Sequence, residues 1–450
     1  MSRRNRLATI MTLALVAAGC GHESPEGAAT AGDTEATADG RQAEGADGGV
    51  TIWDSAGIEI VENHAPEWPA GQFWTIDPEP EFVLGGATDL NVLANDSSQL
   101  IWEVVGLARL QDGRVAVLSS ANRQIYLFEA TGTLSTTIGR GGEGPGEFTR
   151  PEHLQYLPPD TLVVWDYHMS SIDYFDTGGA LLRERKVDYA RLRERVHGAT
   201  SESLRRPLPD GSFVVSVSSS RANADSSSSD CSPGRSWGPP IGPGGGQPGP
   251  AVAWTLPARE YMRVDSAYSA QRLGCSGMIA TGGDPLSIYA RGKDGNEIRQ
   301  LTFDGVLLRI IRRTTEPVPI TAKGRGAEED RVFREFEARG LMPPPRGAMD
   351  EGDTRTSYAW VAGLMVDTEG HLWVQEWSAS ESGRPDQWSV LSADGRWLGV
   401  LAIPVDPGPM DPGRCSWSTS CWIDREFFVT LRVDELGVER IEGYRIRRGG

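Results

Sequence analysis

The stretch LARLQDGRVAVLSSANRQIYLFEATGTLSTTIG, residues 107–139, has a second copy in HLQYLPPDTLVVWDYHMSSIDYFDTGGALLRERKV, residues 153–187. Aligning the two places Val115 over Leu162 and Val117 over Val164, an offset of 47 residues. In both copies, short runs of apolar and alternating residues are separated by turns rich in Asp, Gly or Pro, which is typical of antiparallel strands. Each copy therefore predicts a meander of four strands.

The same register recurs in four later segments: RPLPDGSFVVSVS (206–218), DPLSIYARGKDGNEIRQLTFDGVLLRII (284–311), GLMVDTEGHLWVQEW (363–377) and IDREFFVTLRVDELGVERIEGYRI (423–446). Second strands are thus predicted near residues 115, 162, 213, 286, 372 and 427. Radial repetition of four-stranded antiparallel sheets is a β-propeller, in which few strand edges are left open. We predict an all-β, six-bladed β-propeller; five or seven blades stay open because the later copies are interrupted.

The sixth copy reaches the end of the chain after its third strand, near Arg447. Its fourth strand must therefore come from elsewhere. The segment EPEFVLGGATDL, residues 79–90, precedes the first complete blade as LSTTIGRGGEGP precedes the second. We predict that Phe82–Leu84, with Ile58–Val61 as a further partner, is the N-terminal strand that closes the last blade.

The N-terminal segment MSRRNRLATIMTLALVAAGCG has three arginines followed by the apolar run Leu7–Ala18, the pattern of a secretory signal. The run is shorter than the roughly 20 residues that span a membrane. Ala17–Cys20 resembles a bacterial lipobox, which implies cleavage before Cys20 and lipid attachment to its thiol. An ordinary signal peptide cut near Ala18 is the alternative. By resemblance to other lipoproteins, Gly21 favours the outer membrane of the bacterial cell envelope.

Residues 20–49 contain almost no large apolar side chain and seven acidic ones, so they predict a disordered tether. We divide the chain into a signal peptide (1–19), this tether (20–49) and a propeller (50–450) with insertions at 218–250 and 316–356. Within the second insertion, Val332, Phe333 and Phe336 have helical spacing and predict one short amphipathic helix. It packs on its own blade or forms a lid over the channel mouth.

The formal charge of the chain is −18, and removing the signal with its three arginines makes it −21. An acidic chain without a basic stripe is a poor partner for polyanions, so we exclude nucleic-acid binding. A solvated acidic surface explains the charge, and cation binding is the alternative. We expect a monomer whose partners are the membrane, through the lipid, and a protein or glycan ligand.

Four cysteines follow Cys20, an even number in a chain predicted to reach an oxidising compartment. Of the three pairings possible, we favour Cys415 with Cys421, which leaves Cys231 with Cys275. A zinc site is the rival interpretation. It is weakened because the sequence contains no C-x-x-C motif and no histidine lies near these cysteines.

Gly139, Gly141 and Gly144 match G-x-G-x-x-G, the fingerprint of a dinucleotide-binding loop. That loop must follow a strand and open a helix, whereas this one contains Pro145 and precedes alternating, strand-like residues. We therefore interpret the stretch as a crossing from one blade to the next, with Phe148 filling the space between the blades.

The segment IGRGGEGPGEFTRPEHLQYLPPDTLVVWDYHMSSIDYFD resembles an NHL-type repeat. Residues 54–187 resemble bacterial six-bladed β-propeller lipoproteins of largely unknown function. The resemblance implies that the Gly-Pro-Gly-Glu-Phe segment links an outer strand to the next inner strand, and it offers no catalytic motif. Ser119 and Asp166 occupy polar positions of the repeat that we interpret as turn caps.

The candidates for lining the central channel are polar residues near the inner strands of the first three blades: Glu103, Glu152, His153, Arg205 and Arg206. Large aromatic residues of a propeller mostly fill the space between blades. We therefore assign Trp102, Trp165, Trp360, Trp373 and Trp397 to the core. Trp68, Trp74, Trp237 and Trp417, in loop-like segments, are the candidates for exposed platforms.

Two functions are consistent with this pattern. The first is a lipid-anchored, non-enzymatic module that binds a protein, peptide or glycan and needs no cofactor. The second is a hydrolase or lyase of the gluconolactonase-like six-bladed type, with Ca²⁺ or another divalent cation in the channel. Such a site needs acidic or amide side chains from several inner strands. Glu103 and Glu152 have no matching acids in blades 3 and 4, so we favour binding.

Overall fold

The N-terminal strands of the computed structural model are β1 (Val50–Ser55), β2 (Ile58–Asn63), β3 (Thr75–Ile76) and β4 (Phe82–Gly85). The structure describes residues 49–86, 101–187, 279–292, 295–302, 306–338, 342–343, 346–347, 356–380, 382, 387–403, 421–434 and 437–449, and the strand backbones within 199–270. All of these belong to the second of two units of the chain, Gln42–Gly450; the first, Met1–Arg41, lies outside them.

The first three blades are consecutive four-stranded sheets. Blade 1 consists of β5 (Val104–Arg109), β6 (Val115–Ser119), β7 (Gln124–Phe128) and β8 (Leu134–Ile138). Blade 2 consists of β9 (Pro151–Leu157), β10 (Thr161–Asp166), β11 (Ser171–Asp176) and β12 (Leu181–Lys186). Blade 3 consists of β13 (Ala199–Pro207), β14 (Phe213–Ser219), β15 (Arg235–Ile241) and β16 (Trp254–Leu256). A hairpin of β17 (Tyr261–Val264) and β18 (Ala267–Ala270) follows.

The helix lies in the connection between blades 4 and 5. Blade 4 consists of β19 (Ile279–Gly282), β20 (Ser287–Arg291), β21 (Glu297–Thr302) and β22 (Leu307–Arg313), and α1 (Ala322–Ala338) follows it. Blade 5 consists of β23 (Gly363–Val366), β24 (Leu372–Glu376), β25 (Gln387–Leu391) and β26 (Trp397–Leu401). Blade 6 consists of β27 (Cys421–Ile423), β28 (Phe427–Val433) and β29 (Glu439–Arg447), completed by β4. The six predicted second strands all fall in these blades, so the six-bladed propeller is confirmed.

Neighbouring blades pack face to face because alternate side chains of a strand point to opposite faces of its sheet. The interface between blades 1 and 2, for example, joins Leu118 and Leu127 to Leu154 and Val164. Equivalent apolar clusters join blade 6 to blade 1, blade 5 to blade 6 and blade 4 to blade 5. The first strand of each blade contacts the first strand of at least one neighbouring blade, which places these strands innermost.

The structure confirms one of the two segments predicted to complete the last blade and contradicts the other. Leu84 of β4 lies opposite Ile441 of β29, so Phe82–Gly85 does complete the last blade. Ile58–Val61, however, lies in β2, which pairs in parallel with β22 of blade 4. The hairpin of β1 and β2 thereby extends blade 4 to six strands. The expectation that this segment joins the last blade was wrong.

Asn63, at the end of β2, accounts for this arrangement. Its buried amide Nδ2 donates to the backbone oxygens of Arg312 and Gly395, at 3.2 and 3.0 Å. Its Oδ1 accepts a hydrogen bond from the backbone N–H of Trp397 at 2.8 Å. One buried side chain therefore joins the N-terminal hairpin to blades 4 and 5, and these bonds would be lost if β2 paired elsewhere.

The glycine-rich stretch after β8 forms a crossing between blades and opens no helix. Phe148 donates its backbone N–H to Arg140 O at 2.7 Å and accepts from Gly142 N–H at 3.0 Å. Its ring is fully buried, and its centroid is 5.8 Å from that of Phe175. Phe148 thus fills the space between blades 1 and 2, as predicted.

The predicted turn caps are also confirmed. Asp166 accepts hydrogen bonds from the backbone N–H groups of Thr149, Arg150 and Met169 at 2.7–2.9 Å. Ser119 takes the same place in blade 1, where its hydroxyl accepts from Asn122 N–H at 3.0 Å. Both side chains satisfy backbone donors that a strand end would otherwise leave unpaired.

The helix α1 is carried on a short two-stranded stem. Ile320 N–H donates to Thr356 O, and Tyr358 N–H donates to Val318 O, at 2.9 and 2.8 Å. Thr321 caps the helix, because its hydroxyl accepts from Gly324 N–H at 3.0 Å. Among the described residues, no helix has the length and apolar character needed to cross a membrane.

Candidate functional site

A cavity of roughly 400 Å³ opens between blades 4 and 5. It lies on the face of the propeller where the fourth strand of one blade ends and the first strand of the next blade begins. Its walls come from the end of β22, the stem of α1, the end of β24 and the start of β25. The lining residues are Asn296, Arg313, Thr315, Glu316, Pro317, Val318, Tyr358, Ala359, Trp360, Glu376, Trp377, Ser378, Ala379 and Gln387.

A buried ion pair forms one wall of this cavity. Nη1 of Arg313 lies 2.7 Å from both carboxylate oxygens of Glu376 and 3.1 Å from the hydroxyl of Ser389. The two charged side chains are only 9% and 6% exposed. The guanidinium carbon of Arg313 also lies 3.9 Å from the ring centroid of Trp397, a cation–π contact. The charges of Arg313 and Glu376 therefore compensate each other inside the protein.

Burial changes the acid–base properties of both partners. It raises the pKa of Glu376 above its ordinary value, although Arg313 and Ser389 act in the opposite direction. It lowers the pKa of Arg313, against the influence of Glu376. Burial disfavours the charged form of each group, and the partner favours it. The pair supplies fixed charges to the cavity wall.

Aromatic rings form the other conspicuous part of the cavity. Tyr358 and Trp377 are stacked with their centroids 3.9 Å apart and an angle of 8° between their planes. Tyr358 is buried, whereas Trp377 and Trp360 are half-buried. Asn296 fixes the backbone before the inner strand of blade 5, because its Oδ1 accepts from Trp360 N–H at 3.3 Å. The stacked Tyr358 ring fixes the plane of the Trp377 indole.

The predicted channel residues lie apart from this cavity along the ring. Glu103 is exposed and precedes β5, with a positive φ of 49°. Glu152 and His153 are half-buried in β9; Glu152 lies 3.4 Å from Arg150, and His153 is opposite Trp165. The backbones of Arg205 and Arg206 lie in β13, and their side chains are outside the described residues. That any of them lines the channel stays a prediction.

Two of the tryptophan assignments were wrong, and Trp360 has a second role. Trp68, proposed as an exposed platform, is half-buried and packs against the core. Trp102, assigned to the core, is 49% exposed, and Trp74, proposed as a platform, is buried against Trp68 and Trp373. Trp360 packs against the core of blades 4 and 5, as assigned, and also lines the cavity. Trp237 and Trp417 lie where side chains are outside the described residues. Trp74 is covered by residues from other parts of the chain, including Trp373 of β24, and alternation does not encode such contacts.

Sequence reasoning missed Arg313 and Glu376, although one signal was present. Glu376 occupies the same position of the repeat as the turn caps Ser119 and Asp166. Its longer side chain extends to Arg313 of the preceding blade instead of capping its own turn. At this cap position, the longer side chain thus makes a contact between blades 4 and 5.

The metal and disulfide predictions are not decided by the described residues. Among these residues, no group of three or more His, Cys, Asp or Glu side chains is placed to hold a metal ion. Cys421 is buried in β27, while Cys231, Cys275 and Cys415 lie outside the described residues. Both disulfides stay predictions.

Asp173 is a second buried carboxyl, in the middle of β11. It is only 1% exposed, and its Oδ1 meets no hydrogen-bond donor among the described residues. Burial raises its pKa to about 7, with further contributions from Glu184 and Asp166, against the influence of Lys186. Because the folded pKa exceeds the unfolded value, the contribution of Asp173 to stability is greatest below about pH 4 and is lost as the pH rises through 7.

We predict that Asp173→Asn stabilises the fold by about 2 kcal/mol at about pH 8. The amide keeps the shape of the side chain without a buried charge, so the gain disappears near pH 4, where Asp173 is already protonated. Urea unfolding across this pH range measures the difference. Asp160→Asn, at an exposed aspartate of the same blade, is the matched control and is expected to change little. Equal effects of the two variants at about pH 8 would contradict the prediction.

The comparison of the chain with known proteins agrees with the propeller fold. Residues 94–197 match the family model DUF5128, which is described as a 6-bladed beta-propeller. A search of curated proteins finds no match. Among solved structures, an inferred exported protein of Bacteroides fragilis is 15% identical, with a TM-score of 0.42, covering 87% of this chain and 99% of its own.

Two other solved structures are similar to the chain at comparably low identity. A member of the DUF4221 family from Bacteroides vulgatus is 11% identical, with a TM-score of 0.44, covering 84% of this chain and 99% of its own. A gluconolactonase from Xanthomonas campestris is 14% identical, with a TM-score of 0.36, covering 85% and 99%. At these identities the likeness extends to the fold alone. The chain is a six-bladed β-propeller, similar over blades 1 and 2 to the DUF5128 family.

Proposed function

We propose that this protein is a non-enzymatic binding module, anchored to the bacterial cell envelope by a lipid on Cys20. Its ligand, a protein, peptide or glycan, occupies the cavity between blades 4 and 5. The observation that carries the proposal is the combination of a cavity of roughly 400 Å³ with a Trp377 ring held in place by Tyr358. A rigid aromatic side chain beside fixed polar groups gives contact area at a low cost in conformational entropy.

The charged groups of the cavity support binding more than catalysis. Arg313 and Glu376 are bound to each other, and both are nearly covered. A general acid or base must reach the proton that it transfers, so a carboxylate held by both oxygens against a guanidinium is poorly placed for that role. The pair instead fixes the wall on which a ligand rests.

The test uses the chain with Cys20→Ser, which prevents lipid attachment. We expect it to bind a ligand on peptide or glycan arrays and to lose that binding with Trp377→Ala. Trp102→Ala removes an exposed tryptophan outside the cavity and is the matched control, with binding retained. Mass spectrometry of the bound ligand is expected to find it unchanged.

Three results would overturn the proposal. Binding that is insensitive to Trp377→Ala, or absent on every array, would exclude this cavity as the site. One Ca²⁺ or Zn²⁺ held tightly per chain, together with turnover of the captured ligand, would favour the hydrolase or lyase alternative.

A further inference from the structure

We infer that the cavity between blades 4 and 5 binds an uncharged saccharide, an inference that rests on the proposed function of this cavity. The ligand would place the C–H face of a pyranose ring on the Trp377 indole and its hydroxyls on the amides and hydroxyls of the wall. Three properties of the cavity carry the inference: its aromatic surface, the ion pair that neutralises Arg313 and the chemistry of its polar side chains.

The aromatic surface offers one defined stacking position. Tyr358 covers one side of the Trp377 indole, with the centroids 3.9 Å apart, so a ligand can stack only on the other side. The face of an aromatic ring carries negative charge density, which attracts the weakly positive C–H groups that a pyranose presents on its flat side. Trp360 lines the same cavity as a second, half-buried ring.

The charge of the cavity does not favour an ionic ligand. Among its described lining residues the one cation is Arg313, and both oxygens of Glu376 are bound to it at 2.7 Å. Glu316 at the exposed rim adds a second carboxylate. On these residues an anionic ligand would therefore meet two carboxylates and a cation that is already neutralised. A cationic ligand would meet an exposed carboxylate screened by water and one already paired, a weak attraction.

The uncharged polar side chains match hydroxyl groups. Asn296, Thr315, Ser378 and Gln387 line the cavity, and each carries both a donor and an acceptor. Sugar hydroxyls also donate and accept hydrogen bonds, so each hydroxyl can find a partner among these side chains. An apolar ligand would displace water from the same side chains and form no hydrogen bond in its place. The volume of roughly 400 Å³ is in the range of small-molecule sites and suits a short saccharide.

The test is titration calorimetry of the Cys20→Ser chain with neutral tetrasaccharides of glucose and of N-acetylglucosamine. A uronic-acid oligosaccharide and a peptide array provide the other ligand classes. We expect a neutral saccharide to bind, with an affinity that changes less than about twofold between about 50 mM and about 500 mM NaCl. Trp377→Ala is expected to weaken binding about tenfold or more.

Further variants separate loss of the site from loss of the fold. Trp377→Phe keeps an aromatic ring on Tyr358 and is expected to bind within about threefold of the unmodified chain. Gln387→Ala removes one lining amide and is expected to weaken binding about fivefold. Trp102→Ala, outside the cavity, leaves the affinity unchanged.

The outcomes distinguish this inference from the proposed function. A peptide or an acidic saccharide that binds in a Trp377-dependent way, while every neutral saccharide fails, overturns the saccharide assignment and leaves the binding cavity in place. Failure of all classes, or binding that Trp377→Ala leaves intact, overturns both.

Discussion

Replacing Glu376 with Gln is expected to destabilise the propeller by about 3–5 kcal/mol, because it leaves the Arg313 guanidinium charged and nearly covered. The cost arises from the remaining charge more than from the lost attraction. Arg313 would keep Ser389 and the Trp397 ring as neighbours, and neither carries a compensating charge. Chemical unfolding in urea at neutral pH measures the change in the free energy of unfolding.

A matched control is available in an exposed ion pair of the same length. Arg346 Nη1 lies 2.7 Å from Asp330 Oδ1, but these side chains are 62% and 50% exposed. Asp330→Asn is therefore expected to cost less than about 1 kcal/mol, because water and salt screen the pair. The double variant Arg313→Met, Glu376→Leu removes both charges and is expected to recover most of the stability. Similar losses in Glu376→Gln and Asp330→Asn would contradict the argument.

The architecture could be predicted because the information for each blade is local. A strand with apolar residues on both faces and a turn at each end can be recognised within about ten residues. Six repeats of four such strands predict a ring of blades. The need to close that ring led to Phe82–Leu84 as the missing strand. Its partner at Ile441 lies at the far end of the chain, yet the prediction was correct because only one blade lacked a strand.

The position of β2 could not be predicted in the same way. An apolar strand such as Ile58–Val61 can extend any open sheet edge, and alternation does not say which one. The choice depends on Asn63, whose bonds reach residues about 250 and 330 positions later in the chain. Such contacts exist only once the ring has formed.

The candidate site escaped prediction for a related reason. Arg313 and Glu376 are 63 residues apart and belong to different blades. Each resembles an ordinary residue at a strand end, and only the packing of blade 4 on blade 5 brings them together. The sequence could nevertheless show that Glu376 occupies a cap position with a side chain too long for a cap. Burial of Trp74 likewise depends on its contacts with Trp68 and Trp373, which the repeat does not encode.

Gly139, the first glycine of the crossing between blades 1 and 2, is expected to tolerate no side chain. Its φ is +77°, a region that costs an L-residue about 1–2 kcal/mol. A Cβ atom there would lie 2.3 Å from Cε2 of Phe148, and that ring is fully buried. Because the ring cannot move into solvent, we predict that Gly139→Ala destabilises the propeller by about 3 kcal/mol or more.

Gly57→Ala separates the two causes, because Gly57 has a φ of +83° and a Cβ atom added there would meet no described atom within 4 Å. It reports the backbone cost alone, about 1 kcal/mol, and the excess at Gly139 measures the overlap with Phe148. Gly139→Ala combined with Phe148→Leu is expected to lose less than the two single variants together, since a smaller side chain makes room for the added methyl group. Urea unfolding of all four variants measures these differences. Equal losses in Gly139→Ala and Gly57→Ala would mean that Phe148 moves freely, and the role of this ring in fixing blade 1 against blade 2 would then be wrong.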